Sequence, residues 1–512
     1  MSNGLLDQAL LPAEVQTALL DRAGGNPLYA EEYVRMLADR GFLRRVGGTW
    51  LDRTEQLPLP ESVQAIIAAR LDALAADDKA LLSDAAVLGK VAWVGALAAL
   101  AGAQASALEQ RLHTLERREL LRRERRSAVA GERQYAFRHV LVRDVAYQQL
   151  PRAARADRHR RAAEWLEALS PDRVEDRAEL LAHHWQAALD FTRAAGQDTT
   201  ELVQRARLAQ RDAGDRALAL NAFHAATRWY TAALELWPTD DPERPRLLFR
   251  LGRSRLWVED AGVEQLEAAR EGLLAQGDRE TAAEAELLLG VLASRQGQGA
   301  QADEHLRRAL ALLQDAGPSE AKAHALANVA NSLLASGEAS EAIRVGRQAL
   351  AMADALGLDH LRVQALGNIG FARVSDGDPD GIADAEQAVA VAVAANLPHS
   401  SFAYSMLSKA VIVFGDLVRG FQLQAKAREI DEHLGIIGEV DAERIERAFE
   451  DYWRGRWDAA LHEADRFIAD SQSGSPHFDE PFCRILRGWI RLARADVPGA
   501  LEDATTGLQV GG

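Results

Sequence analysis

The 512-residue chain has very little cysteine, with Cys483 as the single example. One cysteine excludes an internal disulfide framework and a zinc site built on several thiolates. The chain also lacks any run of 18 apolar residues, and residues 1–4 have neither the basic nor the apolar segment of a signal peptide. These absences predict a cytoplasmic protein that does not enter a membrane.

The motifs of a nucleotide-hydrolysing enzyme are missing as well. A phosphate-binding loop needs Gly-x-x-x-x-Gly-Lys-Ser/Thr to cradle phosphates and place magnesium. The only Gly-Lys pair, Gly89-Lys90, is followed by Val91 and has no upstream glycine. An acidic Walker strand, a cyclase aspartate pair and a nucleophile elbow are absent too. We therefore expect no catalytic residue, no metal and no cofactor in this chain, and no enzyme activity of its own.

The net charge limits the kinds of partner that the chain can bind, and the length limits its number of domains. The net charge is −16, so the chain as a whole repels nucleic acid and anionic membranes. The length predicts about three units. The patterns described below divide it into a helical segment at 1–56, a winged-helix domain at 57–150, connecting helices at 151–200 and a helical-repeat solenoid at 201–512. The predicted fold class is mainly α.

The amino-terminal part predicts short helices and two hairpins. Residues 1–40 form two helices broken at Gly24-Gly25-Asn26-Pro27, where Asn26 can cap the second helix and Pro27 fits its first turn. A hairpin follows at 41–52 around Gly47-Gly48. Helices are predicted at 61–74, 77–88, 93–101 and 106–118, followed by an arginine-rich two-stranded ribbon that ends near Phe137. This order of elements is typical of a winged helix.

Arginines on the ribbon raise the question of DNA binding. The candidates for phosphate contact are Arg122, Arg123, Arg125, Arg126 and Arg133. They could neutralise three or four phosphates, with a salt slope of roughly −0.9 per contact. The helix that would enter the major groove also carries Glu109 and Glu116, which repel phosphate. On these grounds we do not expect DNA as a partner, and we expect a solvated hairpin or one that packs on a neighbouring domain.

Residues 135–147 form the hinge between the two halves of the chain. An alternating strand ends near Arg138, and the spacing of Val142, Val145 and Ala146 predicts a helix immediately after it. His139 therefore lies at a helix start, where free N–H groups and the helix dipole favour a phosphate or a carboxylate. Capping of the helix, or pairing with a carboxylate, explains His139 equally well. On the next two helices, His159, His183 and His184 lack acidic or cysteine partners at ligand spacing, so we expect no zinc site there.

From about residue 201 the chain repeats itself at intervals of 38 to 40 residues. Small residues mark the period at Gly214, Gly252, Gly290, Ala330, Gly370, Ser408, Ala448 and Gly488. Such residues allow two antiparallel helices to approach closely. Glycines at 297, 337, 377, 415 and 455 mark turns between helices. The pattern predicts eight helix pairs stacked into a superhelix with a concave groove.

The groove is the predicted binding surface of the repeats. Asn328 and Asn368 occupy the same place in two repeats, and Asn331 lies one turn from the first. A solvent-facing or loop-bonding role explains these asparagines, and the first resemblance given below implies the other role, contact with a peptide or protein ligand in the groove. No polar capping helix follows the eighth pair, so we expect that end to be continued or covered by a partner.

Two resemblances follow from these motifs. Trp229-Tyr230-x-x-Ala233-Leu234-Glu235-Leu236-x-Pro238 resembles the second helix of a tetratricopeptide repeat, a class in which such asparagines face the groove. The pattern Phe137-Arg138-His139-x-Leu141-x-Arg143-Asp144-x-Ala146-Tyr147 resembles the bacterial signal-transduction ATPases with numerous domains, in the branch joined to nucleotide cyclases or transcription factors. Gly25-Asn26-Pro27 is similar to their Gly-x-Pro motif.

The second resemblance implies roles for two residues. In relatives the motif proline packs on adenine, which implies an adenine contact for Pro27. Plant disease-resistance ATPases carry a Met-His-Asp triplet whose histidine contacts the β-phosphate of ADP. That role would transfer to His139, with Val140 in place of the acid. ADP or ATP would bind only with an ATPase domain, in cis or in trans, that this chain does not contain.

The resemblance implies the carboxy-terminal regulatory part of such an ATPase, in which repeats bind a partner and a winged helix gates the nucleotide-binding domain. Two alternatives remain open from the sequence. One is a winged-helix transcriptional regulator with a repeat sensor, and the other is a free-standing repeat scaffold.

Overall fold

The computed structural model describes residues 9–10, 27–39, 43–46, 49–52, 62–169, 177–436, 440–473 and 479–510. They divide into two compact units, residues 1–212 and residues 213–512. The boundary lies within the helix Thr200–Ala219, a little beyond the start of the repeats predicted from the sequence at residue 201.

The first unit begins with a small sheet and one helix. Its elements are β1 Ala9–Leu10, α1 Pro27–Asp39, β2 Leu43–Val46 and β3 Thr49–Asp52. Strands β2 and β3 are antiparallel, which confirms the predicted hairpin, and β1 lies parallel to β3. Residues 9–10 were predicted to be helical and form a strand instead, because pairing with β3 satisfies their backbone groups. The rest of the first predicted helix lies outside the described residues.

A second, three-stranded sheet lies among the helices that follow. The order of elements is α2 Val63–Asp72, α3 Ala76–Leu88, β4 Val91–Trp93, α4 Val94–Ala101, α5 Ala105–Arg117, β5 Leu121–Arg123, β6 Gln134–Phe137 and α6 Val140–Gln148. All pairings are antiparallel, in the order β4-β6-β5. The sequence predicted a two-stranded ribbon and a helix from residue 93. It missed β4 because three residues are too few to show a period of two.

Pairing with β6 fixes β4 in the sheet. Val91 lies opposite Ala136 and Trp93 opposite Gln134. The Trp93 indole donates a hydrogen bond to Gln134 Oε1 at 3.0 Å. Apolar side chains from Ile67 to Leu169 form one core cluster around this sheet.

A buried arginine connects three elements of the first unit. Arg70 of α2 is only 1% exposed. Its Nη1 donates to Glu32 of α1 at 2.5 Å, its Nε to Asp39 at 2.7 Å and its Nη2 to the Arg118 carbonyl after α5 at 2.7 Å. A buried charge is tolerated only when it is paired in this way.

The two predicted helices of this region are present as α7 Arg152–Ala168 and α8 Arg177–Ala194, which pack on each other, and α9 Thr200–Ala219 follows. Trp165 of α7 stacks on Trp93 of β4 with ring centroids 5.9 Å apart. This contact joins α7 to the sheet within the first unit.

The second unit is a series of helix pairs. After α9 come α10 Phe223–Leu236, α11 Arg244–Glu259, α12 Val263–Ala275, α13 Arg279–Arg295, α14 Gly299–Leu312, α15 Glu320–Ala335, α16 Ala339–Leu356, α17 Asp359–Ser375, α18 Gly381–Ala394, α19 Ser400–Val413, α20 Leu417–Leu434, α21 Val440–Trp453, α22 Trp457–Gln472, α23 Glu480–Ala493 and α24 Val497–Val510. These helices confirm the mainly α fold and the repeat solenoid. None of the described helices has the length and apolar character needed to cross a membrane.

The periodic small residues lie where paired helices cross. A Cβ added to Gly370 would lie 2.6 Å from the Gly381 carbonyl oxygen. A Cβ at Gly252 would lie 2.6 Å from Leu266 Cγ. Ser408 donates to the Gly420 carbonyl at 2.8 Å across the same kind of crossing. The turn glycines predicted from the sequence, from 297 to 455, all have φ between 69° and 88°. A side chain is disfavoured at both kinds of position, for different reasons.

The first helices of successive pairs pack on one another in most of the array, for example α13 on α15 and α15 on α17. Most second helices pack on the first helix of their own pair and on that of the next pair. The first helices therefore share one face of the array, and in the superhelix predicted from the sequence this face is the concave one.

Candidate functional sites

His139 occupies the residue before the first turn of α6. Its φ of −140° and ψ of 139° are extended, as expected at the end of β6, and its side chain makes no capping hydrogen bond. The Nδ1 atom is buried and has no hydrogen-bond partner in the part of the chain that the structure describes. Neither of the two simple roles considered above, a side-chain cap or a carboxylate pair, accounts for that nitrogen.

A shallow cleft lies beside this helix start. Its volume is about 260 Å³, and its charged lining residues are Lys90, Arg122, Glu124 and Arg143. Arg122 is partly neutralised by Glu124 at 3.1 Å, and Arg143 contacts Asp144 at 3.2 Å. Three cations against one lining carboxylate, at a helix amino terminus, make a local environment suited to an anion.

The other residue implied by the ATPase resemblance is Pro27, where helix α1 begins. Its side chain lies outside the described residues. The nearby acidic pair is engaged in ion pairs: Glu31 and Glu32 both contact Arg35, and Glu32 also binds Arg70. The sequence did not show this, because Arg70 is 38 residues away from Glu32.

The arginines proposed for DNA contact include two that pair with carboxylates. Arg133 binds Glu109 of α5 at 2.5 Å, and Arg122 binds Glu124 at 3.1 Å. Such pairs leave less positive charge for a nucleic-acid backbone.

On the concave face, helix α15 presents one polar stripe. Glu320, His324, Asn328 and Asn331 follow one another at spacings of three or four, which places them on one side of the helix. Ala323, Ala327 and Ala330 on another side are buried against the neighbouring helices. Asn331 is exposed, whereas the Asn328 amide donates to the His324 carbonyl at 2.9 Å.

Asn368 has a different environment, although it occupies the same place in the next repeat. It is 1% exposed, and its amide nitrogen donates to the Ala327 carbonyl of the preceding repeat at 3.1 Å. Its Oδ1 is buried without a hydrogen-bond partner among the described residues. The position therefore contributes to stacking between repeats, while Asn331 is the asparagine that solvent can reach.

On the same face, a histidine of one repeat pairs with a glutamate of the preceding repeat in two places. His324 Nδ1 lies 2.7 Å from Glu284, and His360 Nε2 lies 3.3 Å from Glu320; each pair is separated by 40 residues. Burial lowers the pKa of His324, but the Glu284 carboxylate outweighs it and the net shift is upward. These pairs add charge-assisted contacts between neighbouring repeats.

The array also contacts itself over long sequence separations. The Trp257 and His399 rings meet edge to face with centroids 5.8 Å apart, and Asn221 Nδ2 donates to the Asn396 carbonyl at 3.4 Å. Phe223, Val258 and Ile436 share one apolar cluster. Thus the first two helix pairs touch the region around the fifth and sixth, which the repeat pattern alone did not predict.

Aromatic residues concentrate in the last two pairs. Tyr452 stacks on Trp457 and contacts Trp489, and Phe449 also contacts Trp489. Trp453 is 49% exposed and Trp489 45%. Half-exposed tryptophans supply much of the binding energy in many protein interfaces.

The structure also brings together three histidines for which the sequence predicted no shared site. His159 of α7 and His183 and His184 of α8 each offer a ring nitrogen, and these three atoms lie within 4.8 Å of one another. The sequence could not show this, because the histidines meet only when α7 and α8 pack side by side.

Comparisons with known proteins agree with the repeat fold. A tetratricopeptide-repeat family model matches residues 281–355. No curated protein matches the chain. Among solved structures, a signal-transduction ATPase with numerous domains carrying a tetratricopeptide repeat sensor, from Pyrococcus horikoshii, is 13% identical with a TM-score of 0.42. That match covers 100% of this chain and 71% of the other.

Two further solved structures are similar at comparable levels. A Rap protein complexed with competence and sporulation factor is 12% identical, with a TM-score of 0.44, and the match covers 70% of this chain and 97% of that one. Human IFIT1 in complex with PPP-AAAA is 14% identical, with a TM-score of 0.36, over 73% of this chain and 90% of that one.

Proposed function

We propose that this chain is the non-catalytic sensor and protein-interaction segment of a signal-transduction ATPase with numerous domains. In this proposal the concave face of the repeats binds a protein or peptide. The first unit contains a winged helix that gates a nucleotide-binding domain, in cis or in trans, which lies outside this chain. The order helix, strand, two helices and two strands from α3 to β6 supports the winged-helix interpretation.

The observation that carries the binding role is the polar stripe of α15, which is exposed at its two ends, Glu320 and Asn331. Glu320, His324, Asn328 and Asn331 lie on the face that the first helices share, inside the segment that matches the tetratricopeptide family model. An exposed amide such as Asn331 can both donate and accept, which suits a peptide backbone. Trp453 and Trp489 add apolar contact area further along the array.

Selection of peptide ligands on the whole chain tests this role. Peptides would be selected from a random display library, and their affinities measured for the wild type, Asn331→Ala and Gln348→Ala. Gln348 is an exposed amide on the second helix α16, so it is the matched control. We expect Asn331→Ala to weaken binding about 10-fold, or about 1.4 kcal/mol, and Gln348→Ala to have no effect. Equal affinities for all three proteins would contradict a concave site at α15.

The gating role rests on His139 and the basic cleft beside it. The histidine nitrogen, the start of α6 and the cations of the cleft together favour a phosphate of a bound nucleotide. A charge-assisted hydrogen bond contributes about 1.5–3 kcal/mol. Moving a population from 1:99 to 99:1 requires about 5.5 kcal/mol, so contacts between domains must supply the remainder.

Histidine NMR can follow this site directly. ADP would be titrated into chain labelled at histidine and mixed with a nucleotide-binding domain of this ATPase class, with the exposed His113 of α5 as an internal control. We expect the His139 ring signals to shift while those of His113 do not, and Arg143→Ala to reduce the shift. If saturating ADP moved neither signal, or both equally, the phosphate contact would have to be abandoned.

A further inference from the structure

The three histidines on α7 and α8 form a compact cluster of imidazoles in the first unit. His159 and His184 are each 1% exposed, and their Nδ1 atoms are 2.9 Å apart. The adjacent His183 is exposed and lies edge to face with both rings. The cluster thus has a buried pair and one member at the surface.

Hydrogen bonds within the described residues do not supply a partner for every ring nitrogen of this cluster. Two Nδ1 atoms at 2.9 Å can share only one proton, so one must donate to the lone pair of the other. The Nε2 atom of His159 pairs with the Tyr147 hydroxyl at 2.8 Å. The Nε2 atom of His184 is buried and has no hydrogen-bond partner among the described residues. A buried ring nitrogen of this kind is costly and calls for an explanation.

The protonation state of the rings suits metal coordination. Burial lowers the pKa of His159 to about 3, with His183 and Arg155 adding to the effect. Burial also lowers the pKa of His183 and of His184. Neutral imidazoles keep a lone pair, and metal ions bind histidine in that form.

We propose that His159, His183 and His184 bind a divalent transition-metal ion such as Zn²⁺ through three imidazole nitrogens, with a fourth position open to solvent. In a tetrahedral site with zinc–nitrogen bonds of ~2.0–2.1 Å, ligand nitrogens are roughly 3.3 Å apart. The ring nitrogens that the three histidines offer lie within 4.8 Å of one another, so small movements of the side chains bring them to that spacing. The exposed ring of His183 provides the route of entry.

Tyr147 is the positioning residue of this site. Its hydroxyl can accept the N–H of His159 Nε2 while Nδ1 faces the metal, as partners of ligating histidines commonly do. Tyr147 belongs to α6, the helix that His139 precedes. Metal binding would therefore link α6 to the α7 and α8 pair.

The surrounding charges affect how tightly the metal ion binds and which ligand takes its fourth position. Arg155 lies over the Tyr147 ring at 4.7 Å, and Arg143 acts electrostatically on His183. Two nearby cations oppose a dication, so binding is expected to be weaker than at thiolate sites. Imidazole ligands favour zinc, copper and nickel over calcium and magnesium. The same cations favour water or an anion in the fourth position.

Titration of Zn²⁺ into chelator-treated whole chain tests the proposal. We expect one zinc per chain by calorimetry, and Co²⁺ should give the visible absorption of a four-coordinate site. His183→Ala removes the exposed ligand with little risk to folding and should weaken binding about 10-fold or more. His113→Ala removes an exposed histidine elsewhere and should leave binding unchanged.

A second measurement separates ligand loss from misfolding. At the same zinc concentration, zinc should raise Tm of the wild type and of His113→Ala by more than that of His183→Ala. Circular dichroism of metal-free His183→Ala should match the wild type. If zinc does not bind, or binds His183→Ala as tightly as the wild type, the site does not exist as proposed.

Discussion

The two units of the chain bury their apolar side chains in different ways. In the first unit, one cluster runs from Ile67 to Leu169 and surrounds a small sheet. In the second unit, separate small clusters form between neighbouring helix pairs, such as the one that contains Leu256 and Leu289. Because its core is shared, the first unit is expected to unfold as one cooperative unit. In the stacked helix pairs, a substitution is expected to destabilise only the few repeats around it. Three predictions test this difference.

The largest effect is expected from Arg70→Met in the first unit. The change leaves the carboxylates of Glu32 and Asp39 without their buried partner. Removing one member of a buried ion pair costs about 3–5 kcal/mol. The measurement is amide hydrogen exchange at increasing urea concentrations. Protection from exchange should fall throughout the described part of the first unit and should not change in the repeats.

The control for Arg70→Met is Arg111→Met. Arg111 pairs with Asp77 at 2.7 Å near the surface, where the two side chains are 41% and 70% exposed. Such a pair contributes about 0–1 kcal/mol. Equal destabilisation by the two changes would show that burial of the Arg70 network does not matter.

Acidification should affect the first unit more than the second. The folded pKa of His159 is about 3, below the usual value, so the unfolded chain binds the extra proton as pH falls through about 6.5. Between pH 7 and pH 5 this histidine alone removes about 2 kcal/mol of stability. His184 is shifted in the same direction.

In the repeats, two histidines have opposite effects on how the free energy of unfolding changes with pH. The raised pKa of His324 adds stability that is fully present below its unfolded pKa and is lost as pH rises through the folded one. Burial lowers the pKa of His399 to about 4, so its contribution falls on acidification. Hydrogen exchange at pH 7 and pH 5 measures both units at once. A larger loss in the repeats would refute the prediction.

The smallest effect is expected from Gly370→Ala in the repeats. The new methyl group would lie 2.6 Å from the Gly381 carbonyl oxygen and 2.8 Å from the Ala385 nitrogen, so the two helices must separate. Overpacking of this kind costs about 1.5 kcal/mol. Protection should fall in α17, α18 and their direct neighbours only.

Gly488→Ala is the matched control, because the nearest atom to its new Cβ is 3.6 Å away. Alanine is also the better helix former by about 0.5–1 kcal/mol. Gly488→Ala should therefore be neutral or stabilising. Destabilisation by both changes would mean that close helix approach is not what selects glycine at position 370.

The repeats were the most predictable part of the molecule. The same arrangement of small residues recurs every 38 to 40 residues, and each small residue marks the point where the two helices of its own pair cross. The turn glycines were predictable for the same reason, since a positive φ is a local requirement. Strand β4 was not, because three residues carry too little pattern.

The candidate sites were predictable only in part. The position of His139 at a helix start follows from its neighbours in the chain. The different environments of Asn331 and Asn368 do not, because they depend on how the next repeat approaches. The contact between Trp257 and His399 depends on the accumulated curvature of several repeats.

By itself, the sequence determined the mainly helical class, the repeat length, the positions of the turns and the helix start at His139. All of these depend on residues close together in the chain, where spacing and backbone preference act directly. Only the tertiary structure decided that Arg70 meets Glu32, that Asn368 is buried and that three histidines on two helices share one site. Those contacts join residues 24 to 41 positions apart, and chain spacing carries no information about the direction in which packed helices present their side chains.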